Sequence, residues 1–144
     1  TNEWKAPVIH DALRTAIMNT RWNTFDGNIK IFHTKEESDK AFTLLKRIIE
    51  LGADVNAHDS YHNSCLDRAL LDCRQILPYY DIEKDLLSKD RVLTDEIKED
   101  ISRIIKILID NGADVNEKNI NSNKSFKEAA SNSVISKCLT FDIK

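Results

Sequence analysis

The sequence predicts an all-α protein, a helical solenoid of about three irregular repeats, and three observations support this fold class. Glycine and proline are scarce, with three and two residues among 144, which favours helices over tight turns. The five residues Gly52–Asn56 recur unchanged as Gly112–Asn116. Each copy follows an apolar stripe of helical periodicity, so a helix is repeated together with its end.

The two stripes predict two matching amphipathic helices, since their residues are spaced i, i+3, i+4 and i+7. The members are Ala41, Leu44, Leu45 and Ile48 in the first copy and Ile101, Ile104, Ile105 and Leu108 in the second. We expect Gly52 and Gly112 to take the left-handed conformation that ends a helix. The Asp and Asn that follow are expected to bind loop N–H groups, and Val55 and Val115 to anchor each loop.

The starts of the two helices carry capping residues. Thr34 or Ser38 is expected to cap the first helix, and Thr34 with Glu37 has the spacing of a capping box. Thr94 is expected to open the second helix. Near the end of the chain, residues 131–139 have helical apolar spacing and predict a short outer helix that caps the stack.

A helix followed by Gly-Ala-Asp-Val-Asn and an extended loop resembles the ankyrin-repeat family. That family opens each repeat with an inner helix whose sequence is similar to Thr-Pro-Leu-His-x-Ala. The partial matches are Ile9–Ala12, Ser64–Ala69 and Lys124–Ala130. The resemblance implies a single ankyrin-repeat domain over residues 1–144. Its parts are unit 1 at about 6–57, unit 2 at about 58–117 and a partial capping unit at 118–144.

Long insertions separate this chain from a regular ankyrin repeat. Gly52 and Gly112 are 60 residues apart, whereas regular ankyrin repeats are about 33 residues long. Each of the first two units therefore carries roughly 25 extra residues between its inner and outer helix. The insertions run approximately over residues 18–40 and 73–99.

The insertions contain aromatic residues that lie outside the repeat pattern. Trp22 and Phe25 stand in the first insertion, and Tyr79 and Tyr80 stand in the second. We expect Pro78 to end an extended inner helix and the second insertion to be a helical excursion packed on the repeats. Because so few repeats bury little surface, the aromatics are expected to fill the core. The alternative is that they form a rival binding surface.

Composition limits the classes of partner. The formal net charge is -3, which gives no broad basic surface for nucleic acid or an anionic membrane. No apolar run reaches the length of about 20 residues that spans a bilayer. Three cysteines without paired spacing indicate reduced thiols. We therefore expect a cytoplasmic protein, or one delivered into a host cytoplasm, that is a monomer on its own.

Residues with chemical potential have simpler structural interpretations. His58, His62 and Cys65 are the nearest approach to a metal site, but zinc normally needs four ligands in recognisable pairs. His10 matches the structural histidine of the ankyrin segment. No second motif supplies a base or an oxyanion site for Cys65, and clustered acids fit solvated helix faces. We expect no enzyme activity, no cofactor and no metal.

The ankyrin resemblance implies that the loops form a row of fingers beside the inner helices, which together recognise another protein. Carried over to this chain, the partner-binding residues are His58, Asp59, Ser60, Tyr61, Arg68, Lys118, Asn119 and Ile120. Further exposed positions on the inner helices are Asp11, Arg14, Asp67, Lys127 and Glu128. Tyr61 and Ile120 are the expected anchors, because large side chains in exposed loops often carry binding energy.

The predicted function is a protein–protein interaction module of microbial or viral type that engages a specific target protein. Two alternatives remain open at this point. One is an inhibitor or immunity-type protein that neutralises a toxin or enzyme. The other is a repeat segment of a larger scaffold. The fold alone does not choose among these three functions.

Overall fold

The structure, a computed structural model, describes residues 5–143 of the chain. Over these residues it contains six helices and two small antiparallel β-hairpins. The prediction of an all-α solenoid is therefore wrong, and the fold is mixed α and β. Both hairpins lie in the insertions, and in each one two short strands pair with each other. The helical periodicity of the sequence does not indicate these strands.

The six helices pack in two layers around one core. The first layer contains α1 (Val8–Met18), α3 (Cys65–Cys73) and α5 (Phe126–Ser131), and the second contains α2 (Lys35–Glu50), α4 (Asp95–Asp110) and α6 (Ile135–Cys138). Neighbours within each layer contact one another, and each first-layer helix packs on the second-layer helix that follows it. Helix α1 also contacts α4, and all six helices supply buried apolar side chains to the core.

The two apolar stripes differ in how completely they are buried. In α4, the four predicted residues are at most 2% exposed. In α2, Ala41 and Leu45 are buried, but Leu44 is 51% exposed and Ile49 takes its place in the core. The reason is position, since α4 lies between α2 and α6 in its layer, whereas α2 lies at one end.

The predicted helix ends at the two glycines are confirmed. Gly52 and Gly112 have φ angles of 100° and 97°, in the left-handed region. The N–H of Gly52 donates to the carbonyl of Ile49, and the N–H of Ala53 donates to that of Ile48. This pair of bonds is the Schellman motif, and it recurs at Gly112. The repeated sequence therefore encodes a repeated helix stop.

The helix starts follow the capping residues. Thr34 and Glu37 form a complete capping box at the start of α2, so Thr34 is the cap and Ser38 is not. Thr94 caps α4, where its hydroxyl accepts from the N–H of Ile97. Ser38 is buried instead.

The first insertion forms a hairpin of β1 (Asn23–Phe25) and β2 (Ile29–Ile31), with Gly27 at φ 101° in the turn. Asn23 pairs with Ile31, and Phe25 pairs with Ile29. Beside the hairpin, Trp22 and Phe32 stack with ring centroids 4.3 Å apart. Trp22 packs against the core, as expected for this insertion, whereas Phe25 is 36% exposed.

The second insertion fastens the first hairpin to the rest of the protein. The side-chain amide of Asn23 donates to the carbonyl of Val92 at 2.7 Å, and its oxygen accepts from the Val92 N–H at 2.9 Å. The N–H of Phe25 donates to the carbonyl of Asp90 at 2.7 Å. The two insertions are thus one interlocked feature on the helical layers.

A buried ion pair completes this attachment. The guanidinium of Arg21 donates to both carboxylate oxygens of Asp100 at 3.1 and 2.9 Å, and the Arg21 backbone N–H donates to the same carboxylate. The Asp100 side chain is fully buried on α4. Chiefly through these hydrogen bonds, Asp100 raises the pKa of Arg21.

The second insertion forms a shorter hairpin of β3 (Tyr80–Asp81) and β4 (Leu86–Leu87). The expectation of a helical excursion is therefore wrong. The expected extended inner helix ending at Pro78 is wrong as well, because α3 already ends at Cys73, five residues before Pro78. The Tyr80 hydroxyl donates to Asp85, which also pairs with Lys137 at 2.8 Å. These contacts are exposed, unlike those of the first hairpin.

Candidate protein-binding surface

The two Gly-Ala-Asp-Val-Asn loops are joined by one side chain. The amide nitrogen of Asn56 donates to the carbonyl of Gly112 at 2.9 Å, and its oxygen accepts from the Asp114 N–H at 2.8 Å. Asn56 therefore pairs with the next loop as a backbone peptide group would in a sheet. The loops are held side by side by this link between units.

Within each loop, the repeated Asp and Val act as the sequence predicts. The Asp54 carboxylate accepts from the Asn56 N–H at 2.8 Å, and Asp114 accepts from Asn116 at 2.9 Å. Val55 is buried beneath the first loop, and Val115 is buried beneath the second. Both loops are consequently fixed by an Asp cap above and an apolar anchor below.

Beyond these caps, Asp59 organises the rest of the first loop. Its carboxylate accepts from the N–H groups of Tyr61 and Asn63 and from the Arg68 guanidinium at 3.0 Å. Arg68 also lies 3.6 Å from Asp72 and is only 15% exposed. Asp59 is buried, so it shapes the loop from within and does not lie at an exposed fingertip.

Asn119 has the equivalent position in the second loop, 60 residues later. Its oxygen accepts from the N–H of Asn121, and its amide donates to the side chains of Asn63 and Asp67 at 3.0 and 2.9 Å. Asn121 in turn donates to the Tyr61 carbonyl at 2.8 Å. Asn119 is buried, so it too shapes the loop instead of standing at a fingertip.

The surface of this double loop presents two large apolar side chains. Tyr61 is 42% exposed and Ile120 is 72% exposed. The bond from Asn121 to the Tyr61 carbonyl brings the two loop tips together. The predicted anchors therefore stand on adjacent fingers, although neither belongs to the repeated five-residue motif.

The remaining predicted loop residues surround these anchors. Ser60 binds the backbone of Lys5 through two hydrogen bonds of 2.8 Å. His58 is hydrogen-bonded to Glu117 of the second loop, which adds a further link between the loops. Lys118 is exposed. Of the predicted inner-helix positions, Asp11, Arg14, Lys127 and Glu128 are exposed, and Asp67 is partly covered.

His10 and Cys65 both bind the backbone of the first loop. The Nε2 of His10 lies 2.7 Å from the carbonyl oxygen of Ala57, so Nε2 carries the proton. The Cys65 thiol reaches the same oxygen at 3.7 Å. Burial, with a smaller effect from Asp54, raises the pKa of the Cys65 thiol to about 12. Such a thiol stays protonated at neutral pH and is a poor nucleophile.

No group of three or more His, Cys, Asp or Glu residues within positions 5–143 is arranged to hold a metal ion. The candidates His58, His62 and Cys65 therefore do not converge. The helices of residues 5–143 do not combine the length and the apolar character that a bilayer-spanning segment needs. Cys65, Cys73 and Cys138 are buried and unpaired.

Tyr61 and Ile120 are exposed as predicted. The roles of Asn63 and Asn121 in joining the loops were not predicted, and Asn56 was expected to bind within its own loop but binds the next one. Asn56, Asn63 and Asn121 make the contacts between the loops. The 60-residue offset between the motifs also relates Asp59 to Asn119 and Tyr61 to Asn121. Aligning the two copies beyond the shared five residues places these polar residues at equivalent loop positions, which is the sequence signal for their structural role.

Comparisons with protein-family models, with curated proteins and with solved structures found no match to this chain.

Proposed function

We propose that this protein is a repeat-built binding module whose paired loops recognise another protein, without catalysis or cofactor. More particularly, we propose that it is a divergent ankyrin-repeat protein of microbial or viral type. The observation that carries the proposal is the side-by-side arrangement of two loops that expose Tyr61 and Ile120 on a framework of buried asparagine and aspartate contacts.

The rigidity of the loops supports this proposal. Binding costs free energy when flexible loops become ordered, and pre-organised loops avoid much of that cost. Here the tips are held from below by Asp59 and Asn119 and from the side by Asn121. A solvated loop without a binding role has no need of such fixed apolar tips. Three buried free thiols are consistent with an intracellular setting.

A repeat segment of a larger scaffold is the second candidate, and one observation favours it. Val8 begins α1 and is 69% exposed, whereas Cys65, which begins α3, is fully buried. Leu44 on α2 is 51% exposed, whereas its repeat equivalent Ile104 is 2% exposed. Apolar residues thus occupy positions that a neighbouring unit buries elsewhere in the stack.

The test of the proposed function compares two double variants in affinity capture from cell lysate, followed by size-exclusion analysis of the captured complex. Tyr61→Ala/Ile120→Ala removes the loop anchors. The matched control, Tyr79→Ala/Leu86→Ala, removes an aromatic and an aliphatic residue of comparable exposure from the second hairpin. Circular dichroism must show that both variants retain the helical signal of the native chain.

We expect a stoichiometric protein partner that is lost with the loop variant and kept with the control. A partner that survives the loop variant contradicts recognition by the loops. To separate the scaffold candidate, Val8→Lys/Leu44→Lys is examined by analytical ultracentrifugation. If the native chain self-associates and this variant does not, the result favours the candidate function as a repeat segment of a larger scaffold.

A further inference from the structure

The outer edge of β2 is open for hydrogen bonding. Phe32 donates to the carbonyl of Trp22, and Asp26 donates to that of Asn28, which fixes the hydrogen-bonded pairs of the hairpin. Pairs alternate along an antiparallel ladder, so Asn23↔Ile31 and Phe25↔Ile29 are non-hydrogen-bonded pairs. The peptide groups of Ile29 and Ile31 consequently point away from β1.

The opposite edge of the hairpin supports this assignment. Phe25 belongs to a non-hydrogen-bonded pair, and its N–H points outward to the carbonyl of Asp90 at 2.7 Å. Residues of the second insertion thus cover the edge of β1. Among the backbone hydrogen bonds of residues 5–143, none satisfies the outward N–H groups of Ile29 and Ile31. One edge of the hairpin is covered and the other is free.

The free edge is apolar as well as unpaired. Ile29 and Ile31 are 50% and 45% exposed. Side chains alternate between the faces of a strand, so these two residues share a face with Phe25, which is 36% exposed. An exposed edge strand with large apolar residues is avoided in proteins unless it binds something, because it promotes aggregation.

The hairpin is also too firmly held to be a mobile loop. Asn23 forms two hydrogen bonds with the Val92 backbone, and Arg21 forms its ion pair with buried Asp100. Trp22 stacks on Phe32 beside the strands. A fixed strand adds a partner strand without first losing its own conformational freedom.

The charge of Lys30 disfavours a second copy of this chain as the added strand and favours a strand from a different protein. An antiparallel pairing of β2 with β2 of a second copy, centred on the strand, places Lys30 opposite its own equivalent. Like charges directly opposite one another destabilise a sheet, and a lysine on an edge strand is a common protection against self-pairing. The same position favours a carboxylate on a strand from another protein.

We propose that β2 is a second docking edge, separate from the paired loops, which takes an extended segment of another protein as an added strand. The segment supplies β-branched or aromatic residues beside Ile29 and Ile31 and an acidic residue opposite Lys30. Main-chain bonds to the peptide groups of Ile29 and Ile31 give affinity, and the alternating side chains give specificity.

The test selects binders from a phage-displayed library of random dodecapeptides on the full chain and then titrates the enriched synthetic peptides against it. We expect peptides with alternating apolar residues and a central Asp or Glu. In NMR spectra, the amides of Ile29 and Ile31 become protected from hydrogen exchange in the complex. Enriched peptides that lack an acidic residue, or that perturb only the loop tips, overturn the proposal, as does a selection that enriches no peptide.

Three variants locate the contact. Ile31→Pro removes an outward N–H without removing a hairpin hydrogen bond and is expected to weaken peptide binding by at least about tenfold. Ile29→Thr/Ile31→Thr keeps strand propensity while removing apolar surface, and it replaces the proline variant if that variant is misfolded. Lys30→Glu is expected to weaken binding of the acidic peptide. Binding to this variant is expected to be restored when the acidic residue of the peptide is changed to lysine.

Tyr61→Ala/Ile120→Ala is the matched control and is expected to leave peptide affinity unchanged. The experiment therefore distinguishes failure of the proposed loop recognition from failure of the proposed strand addition at β2. Equal affinity for native protein and Ile31→Pro overturns the edge proposal. Analytical ultracentrifugation tests whether β2 of a second copy of the chain occupies the edge instead. A dimer of the native chain that is lost in Ile31→Pro assigns the edge to a second copy instead.

Discussion

The two hairpins occupy equivalent places in the chain, between an inner and an outer helix, but they are attached in different ways. The first is held by a buried ion pair from Arg21 and by two hydrogen bonds from the buried Asn23 side chain. The second is held through Asp85 and Lys137, whose pair is exposed. The comparison indicates that the strength of the attachment depends on burial. When an exposed polar contact breaks, water takes the place of the lost partner, whereas the groups of a buried contact are left unpaired.

The largest difference is expected at the buried ion pair. Asp100→Asn replaces a fully buried carboxylate by an amide that presents donors to the Arg21 guanidinium. Breaking a buried pair by changing one partner is expected to lower the free energy of unfolding by about 3 kcal/mol. Urea denaturation followed by circular dichroism measures this loss.

The matched control for this variant is the neighbouring Glu99→Gln. Glu99 lies 3.6 Å from the same guanidinium, but its side chain is 61% exposed. We expect the Glu99 variant to unfold at nearly the native urea concentration. If both variants lose equal stability, the distinction between buried and exposed attachment fails.

A smaller effect is expected from the amide contact of the first hairpin. Asn23→Ala leaves the N–H and carbonyl of Val92 without their present partners. Groups left unsatisfied in this partly buried contact are expected to cost about 2 kcal/mol of unfolding free energy. The same urea measurement is paired with hydrogen exchange at Val92, which should become faster. Asn28→Ala, at an exposed position in the turn of the same hairpin, should leave both values unchanged.

The smallest effect is expected in the second hairpin. Lys137→Met removes the cation that, more than any other group, lowers the pKa of Asp85. A lowered folded-state pKa contributes stability above the unfolded pKa and loses it as pH falls through the folded value. Because both groups are solvated, we expect unfolding at neutral pH to be unchanged within error.

The measurement for this variant is an NMR titration of the Asp85 carboxyl. Its pKa is expected to rise toward the ordinary value in Lys137→Met and to remain low in the control Lys89→Met. A large loss of stability in Lys137→Met would mean that the second hairpin depends on this exposed contact after all.

The sequence predicts those parts of the fold that are encoded locally. Gly52 ends its helix through its own left-handed conformation, and Thr34 caps a helix through Glu37 three residues away. Both depend on neighbours along the chain. The Val55 anchor is predictable for the same reason, since one apolar residue in a polar loop has few other roles.

The attachment of the first hairpin could not be predicted because the residues that hold it are distant in sequence. Asn23 binds Val92, and Arg21 binds Asp100, across about seventy residues or more. The strands themselves are only two or three residues long, which is too short for a clear alternation of apolar and polar residues. An Asn in a polar stretch is typical of a turn, and its side chain alone does not reveal that it bonds to another segment.

The candidate loops show the same division. Exposed Tyr61 and Ile120 were identified from the sequence, because large side chains stand out in polar loops. Asp59 and Asn119 were expected at the exposed tips but are buried. Short polar residues suit both an exposed tip and an internal hydrogen-bonding position, so only the three-dimensional contacts distinguish the two roles.

The Asn56 side chain also makes one amide proton a reporter of how the units separate. The Asp114 N–H belongs to the second loop, but its acceptor is the Asn56 oxygen of the first loop. The Asn116 N–H, two residues later, is bonded within its own loop to Asp114. Exchange at Asp114 therefore follows the parting of two neighbouring units, while exchange at Asn116 follows the opening of one loop. The ratio of these two rates measures the cooperativity of the stack in the intact protein.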